Sequence, residues 1–196
     1  MKNQLKTAPA SEPITLADAR AYLGIVQAAD TGRDAIISTH IAAARTWAEQ
    51  YCRIAVITQT WELYLDSFSD SITLLGKLQS VTSVKYYDTS DALQTASNTL
   101  YYVDTVNSAI VLKDGSAWPT TKTRPNAVVI EYVTGFGNAA AIPEDIKTAL
   151  KFLVDHWEKN QKKIDGGVIT TIPYAVTQLL NTYRDMRGFF EAQVTR

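Results

Sequence analysis

The spacing of apolar residues changes abruptly near residue 55, and this change restricts the possible folds. Over residues 33–52 apolar side chains recur every three or four positions, the spacing of one helix face: Ile37, Ile41, Ala44, Ala48 and Tyr51. From Ile57 to Phe68, in the stretch ITQTWELYLDSF, they recur at every second position, with Trp61, Leu63 and Leu65 on one side. The chain therefore passes from an amphipathic helix into a half-buried strand.

Helical patterns occupy both ends of the chain, and strand patterns occupy its middle. We predict helices over residues 15–24, 33–52, 143–163 and 174–187, and an antiparallel β insertion over residues 54–134. Turn-rich breaks separate the strand segments without a helix between them, which favours antiparallel pairing. The predicted fold class is α+β, a helical bundle built from N- and C-terminal helices with an inserted antiparallel β subdomain.

Local signals mark where the helices start. Thr15 is placed to cap the first helix, with Asp18 at the position of a capping box, and Asp30 or Asp34 could cap the second. Pro143 suits the first turn of the third helix.

The length of 196 residues suits one domain. Residues 1–12 are polar and rich in small side chains, so we expect a flexible N-terminal arm. Residues 13–184 are then a single domain, and residues 185–196 form a C-terminal tail.

Composition and charge exclude several classes of protein. Nineteen basic residues against twenty acidic residues give a net charge of −1, which provides no general attraction to nucleic acid or to anionic membranes. Cys52 is the only cysteine, so an internal disulfide and a multi-cysteine metal site are both impossible. No signal peptide is visible, and no apolar run approaches the roughly 18 residues of a membrane span.

Catalytic motifs are absent from the sequence. The two histidines, His40 and His156, have no partner at metal-ligand spacing and are most simply ordinary helix residues. The segment TGFGNAA has alanine at position 140, where a dinucleotide-binding fingerprint needs a third glycine, so it is most simply a turn. We therefore expect no enzyme, no cofactor and no metal site.

The aromatic residues of the segments KYYD and LYYVD leave two interpretations open. They could stack on a sugar, which would make the protein a non-catalytic carbohydrate- or peptide-binding module. On alternating strands, however, they are more often core residues or cross-strand pairs.

Six segments occur in one fixed order between Pro13 and Arg184: ITLADARAYL; ITQTWEL; LQSVTSVKYYD; SAWPTT with RPNAVVIEYVTGFG; IPEDIKTALKFLVDHWEKN; and IPYAVTQLLNTYR. In that order they resemble the head–tail connector (adaptor) proteins of long-tailed bacteriophages and prophages. After NTYR the chain departs from the family's usual short ending with the segment DMRGFFEAQVTR.

The resemblance implies a structural virion protein rather than an enzyme. Members of the family form a ring of roughly a dozen copies beneath the portal protein. The ring continues the DNA channel without binding DNA specifically, and it presents a surface to a stopper or tail-completion protein. The protein would be assembled in the host cytoplasm, would reside at the head–tail junction and would have no membrane contact.

Two segments are candidate interfaces under this interpretation. The loop over residues 114–125 could contact a neighbouring subunit or the tail through Asp114, Trp118, Lys122 and Arg124. The C-terminal segment could bind the portal through large apolar groups and arginines: Tyr183, Arg184, Met186, Arg187, Phe189 and Phe190. Alternatively, Tyr183 and Met186 could simply pack on the third helix.

Overall fold

The computed structural model of the chain describes residues 2–25, 30–160 and 171–187. Its helices are α1 (Leu16–Tyr22), α2 (Thr31–Cys52), α3 (Glu144–Asn160) and α4 (Tyr174–Asn181), with a short 3-10 turn at Ala139–Ala141. Its strands are β1 (Lys2–Thr7), β2 (Gln59–Leu65), β3 (Ser71–Thr73), β4 (Leu78–Tyr87), β5 (Leu93–Thr95), β6 (Tyr101–Asp104), β7 (Ala109–Leu112) and β8 (Val128–Thr134). The fold class is α+β, as predicted.

The chain divides into two compact units. The β unit comprises residues 1–10 and 58–136, and the helical unit comprises residues 11–57 and 137–196.

The helical unit brings together helices from both ends of the sequence. Helix α2 packs on α1, α3 and α4, and α3 packs on α1 and α4. The predicted stripe of α2 is buried at Ile37, Ile41, Ala44 and Ala48, while Tyr51 is half-buried. Helix α3 buries Ile146, Ala149, Leu150, Leu153 and Val154. The capping box of Thr15 and Asp18 is present, and Asp30 caps α2.

The β unit contains two antiparallel sheets. One has the strand order β1-β2-β8-β4-β5, and the other has the order β3-β7-β6. The alternation predicted for β2 is confirmed, since Leu63 is fully buried and Trp61 and Leu65 pack against the same core. Strand β8 lies in the middle of the larger sheet and buries Val128, Ile130 and Tyr132.

Helices α1 and α2 lie within two residues of their predicted bounds, and three other boundaries differ by more. The predicted flexible arm contains strand β1, which pairs with β2 from Lys2 opposite Tyr64 to Thr7 opposite Thr60. The β region predicted from residue 54 begins at Gln59, because Ile54–Ile57 are buried within the helical unit and the Val56 amide is held by Glu49. Helix α4, predicted to reach residue 187, ends at Asn181, because the Asp185 amide donates to the Cys52 carbonyl of α2. The last three residues of the third predicted helix, 161–163, lie outside the described residues.

Candidate interaction surfaces

The loop over residues 114–125 is anchored by Trp118. The indole is stacked on Phe68, with ring centroids 4.4 Å apart and planes 4° from parallel, and it lies 5.6 Å from the Tyr101 ring. Its Nε1 donates to the Ser69 carbonyl at 2.9 Å. Trp118 therefore attaches the loop to the apolar core of the β unit, in addition to the interface role predicted for it.

The basic side chains of the loop are held by one carboxylate. Asp91 accepts ion pairs from Lys122 and Arg124, both at 3.0 Å. The Arg124 guanidinium also lies 4.0 Å from the centre of the Tyr87 ring. The hydrogen bond from Lys122, supported by that from Arg124, lowers the pKa of Asp91. The second half of the loop is thus fixed to the turn between β4 and β5, while its charged groups stay partly exposed.

Asp114 occupies the exposed turn at the start of the loop. Gly115 has a φ of 73°, a conformation that favours glycine, and the Ser116 amide donates to the Lys113 carbonyl at 3.0 Å. Of the four predicted interface residues of the loop, Asp114 is therefore the most exposed, and Trp118 lies deepest against the core of the β unit.

The start of the predicted portal-binding segment packs on the helical unit. The Tyr183 hydroxyl donates to Asp145 of α3 at 3.3 Å, and the Arg184 guanidinium lies 5.1 Å from the centre of the Tyr51 ring of α2. Burial, with a contribution from Asp145, raises the pKa of Tyr183. The contact of Tyr183 with the third helix agrees with the alternative interpretation of that residue.

The next residues turn toward the surface. Asp185 donates its amide to the Cys52 carbonyl at 2.7 Å and accepts from Arg187 at 2.6 Å. Between them the Met186 side chain is 41% exposed, so it is available to a partner. Phe189 and Phe190 lie outside the described residues.

A third candidate surface, the β6–β7 hairpin, was missed by sequence reasoning. Tyr102, Val103 and Val106 are exposed there by 61%, 41% and 89%. Asp104 accepts the amides of Val106 and Asn107, both at 2.9 Å, and so fixes the turn that presents Val106. An apolar valine within a polar turn was the available signal in the sequence.

A fourth surface lies where β1 covers the edge of the larger sheet. Glu62 of β2 stands directly opposite Glu131 of β8. Lys6 of β1 reaches both carboxylates, at 3.0 Å and 2.7 Å. Hydrogen bonds from Tyr64 and from Lys6 lower the pKa of Glu62. Two like charges that would repel each other across the ladder are thus compensated by a residue of the N-terminal strand.

The histidines and glycines considered for a catalytic or cofactor-binding role lie in environments that are typical of structural residues. His40 lies 6.2 Å from the Trp157 ring, and its Nδ1 is 3.7 Å from Glu158. His156 lies on α3, within hydrogen-bonding distance of Asn160. Gly135 and Gly137 have φ angles of 126° and 121°, as a turn would require. Within residues 2–25, 30–160 and 171–187, no group of three His, Cys, Asp or Glu side chains is arranged to hold a metal ion.

The aromatic strands form little open stacking surface in the described part of the chain. Tyr101 is buried, Tyr86 lies edge-on to Phe68, and Arg124 covers Tyr87. Tyr102 is the exposed member of the group, with Lys113 Nζ 4.9 Å from its ring centre.

No helix among the described residues is both long enough and apolar enough to cross a membrane.

Three solved structures with the same fold come from gene transfer agent (GTA) particles. The chain matches one in the neck of an empty GTA particle computed with C6 symmetry and one in the virion of a native gene transfer agent (GTA) particle, each with TM-score 0.76 and 22% identity. It also matches one in the neck of a native GTA particle computed with C12 symmetry, with TM-score 0.74 and 21% identity. Each match covers 94% of this chain and 95% of the other.

No match was found among curated proteins. The head completion protein family model matches residues 12–186, most of the chain. The chain therefore belongs to the head completion protein family.

Proposed function

We propose that this chain is a structural protein of the head–tail junction of a phage-like particle. Copies of it form a ring beneath the portal, join head to tail and continue the DNA channel. The observation that carries the proposal is the family match over residues 12–186, and the fold shared with chains of GTA particles supports it. A carbohydrate- or peptide-binding module is not favoured, because three of the four tyrosines of KYYD and LYYVD are in contacts within the β unit: Tyr86 with Phe68, Tyr101 with Trp118, and Tyr87 with Arg124.

The proposed ring contains about twelve copies of the chain. Two of the similar structures are necks computed with C6 and C12 symmetry. In a cyclic ring each copy uses two different surfaces, because the interface is heterologous. Residues 13–184 would act in the ring as one connector domain, with residues 185–196 as a tail.

DNA would pass through the lumen without specific binding. The net charge of −1 provides little general attraction for phosphates, so the ring would not retard the DNA. The role is non-catalytic and needs no cofactor. Assembly takes place in the host cytoplasm, and the finished protein resides in the virion.

The C-terminal segment is the proposed portal contact. It comprises Tyr183, Arg184, Met186, Arg187, Phe189 and Phe190. Ending the chain after Arg187 removes both phenylalanines but keeps the Asp185–Cys52 bond and the Arg187–Asp185 ion pair. This truncation should abolish portal binding while the thermal unfolding of the free chain is unchanged. Full portal binding by the truncated chain would reject Phe189 and Phe190 as portal contacts.

The loop over residues 114–125 is the proposed contact with the neighbouring subunit or with the stopper or tail-completion protein. Asp114, Trp118, Lys122 and Arg124 would contribute to it. Asp114→Lys is the cleanest charge reversal, because Asp114 lies outside the Asp91 ion pairs that fix the loop. Ring formation and tail attachment that both survive Asp114→Lys and truncation of the loop would contradict this role.

Deletion of the gene tests the function as a whole. Particles made without this chain should accumulate as DNA-filled heads and separate tails, and the intact gene supplied in trans should restore joined particles. Joined, infectious particles in the absence of the chain would overturn the proposal.

A further inference from the structure

The N-terminal strand has the properties of an exchangeable element. We propose that residues Lys2–Thr7 dock as an edge strand on β2 of a second copy of this chain, so that neighbouring copies in the assembly are linked by their arms. This inference rests on the proposed ring, which supplies the neighbouring copies. Strand β1 precedes residues 12–186, which the family model matches, so the linkage is additional to the family's common region.

The acceptor surface fits this particular strand. Glu62 and Glu131 stand opposite each other, and Lys6 lies between them within 3.0 Å of both. A strand without a cation at that position would lose both ion pairs and leave two carboxylates facing each other, with the weaker influence of Lys85 on Glu62 remaining. The acceptor therefore favours the chain's own N-terminal sequence over an unrelated edge strand.

A second contact fixes the register of the strand. Tyr132 is fully buried on β8, and its hydroxyl donates to the Asn3 side chain at 2.9 Å. The Leu75 backbone also bonds this hydroxyl, so without Asn3 the buried hydroxyl would keep that bond but lose the acceptor of its proton. The site therefore favours a hydrogen-bond acceptor at this position as well as the lysine three residues later. Asn3 and Lys6 together specify which segment binds and in which register.

The strand nevertheless buries little of its own surface. Five of its six residues are exposed and only Asn3 is half-buried, so β1 is held by its ladder to β2 and by the contacts of Asn3 and Lys6. The helical unit begins soon afterwards, where Glu12 pairs with Arg45 at 2.8 Å and Ile14 is buried. Only residues 8–11 lie between these two attachments, and Pro9 biases them toward an extended conformation.

Exchange between copies conserves every contact of the strand. The β1–β2 ladder, the Lys6 ion pairs and the Asn3 bond are the same whichever copy donates the strand. Within a ring, neighbouring arms and acceptor strands are at a high local concentration. Exchange is therefore more favourable there than between free chains in dilute solution.

Zero-length cross-linking of the unmodified chain tests the proposal. Unlabelled and ¹⁵N-labelled chains are mixed in equal amounts, assembled with the portal ring and treated with a carbodiimide, which condenses a carboxylate with a neighbouring amine. The Lys6–Glu62 and Lys6–Glu131 pairs are close enough to react. The Lys159–Asp155 pair, at 2.8 Å and one turn apart within helix α3, is the internal control and must yield only isotopically uniform cross-links.

Exchange predicts that about half of the Lys6 cross-links join a light peptide to a heavy one, as random pairing requires. Lys6 cross-links that are all isotopically uniform in an assembled ring would overturn the exchange while leaving the ring intact. Native mass spectrometry of the same sample reports ring formation independently. If no ring forms, the proposed function is rejected. The same isotope pattern, measured on the free chain at high concentration, then tests the exchange by itself.

Discussion

Trp118 lies flat against Phe68, with ring centroids 4.4 Å apart, and its indole nitrogen donates to the Ser69 carbonyl. A residue expected at an interface is thus also part of the core that supports the loop. Loop 114–125 keeps its conformation through contacts within the β unit, so a partner would meet a preformed surface.

Trp118→Ala should therefore destabilise the free chain. The change removes a stacked, half-buried indole and its hydrogen bond, and we expect a loss of about 2 kcal/mol in the free energy of unfolding. Denaturant unfolding of the purified chain measures it. Trp118→Phe, which retains an aromatic ring on Phe68, should lose less. Unchanged stability of the alanine variant would mean that Trp118 serves only a partner.

Asp91→Asn should loosen the second half of the loop. The ion pairs to Lys122 and Arg124 lower the pKa of Asp91, so their contribution is present at neutral pH and disappears as the pH falls through that lowered pKa. In the variant at pH 7, hydrogen exchange over residues 119–125 should be faster than in the parent chain. Asp114→Asn, at the exposed turn, is the matched control and should leave that exchange unaltered. Equal exchange in all three chains would show that the ion pairs do not restrain the loop.

Tyr132→Phe should weaken the attachment of β1. The buried hydroxyl donates to Asn3, and removing it should cost about 1 kcal/mol and accelerate amide exchange in residues 2–7. Tyr101→Phe, a change on a different strand, should leave exchange in β1 unaffected. Slow exchange retained by β1 in Tyr132→Phe would show that the Tyr132–Asn3 bond is not needed to hold the strand.

The Cys52 thiol should be inert in the folded chain. It is 1% exposed and donates to the Leu180 carbonyl, and burial raises its pKa to about 11. At pH 8 the thiol is therefore protonated and shielded, and a thiol reagent should react only after denaturant is added. Cys52→Ser gives the blank for the assay. Rapid reaction of the native chain would reveal opening between α2 and α4.

The sequence predicted those elements whose apolar pattern is complete within one segment. Helices α2 and α3 each carry a full apolar stripe, and β2 alternates through Trp61 and Leu63, so their types could be assigned. The apolar sequence pattern of Ile54–Ile57 is equally compatible with a strand and with a buried stretch beside a helix. Its place in the helical unit depends on packing that no local pattern encodes.

Elements stabilised by distant partners could not be predicted. Strand β1 is polar, and it is ordered by the edge of β2 and by Glu62 and Glu131, far away in sequence. Likewise, the end of α4 is set by the Cys52 carbonyl. At the candidate surfaces, sequence analysis identified the loop and the C-terminal segment, but not the stacking of Trp118 on Phe68 or the exposed tip at Val106.

Native mass spectrometry of this chain mixed with the portal ring from the same genome would show whether the chain forms a ring on the portal. We expect a complex in which about twelve copies of the chain join one portal ring, in agreement with the cyclic symmetry of the portal. An intact portal ring that binds no copies of the chain would contradict this expectation.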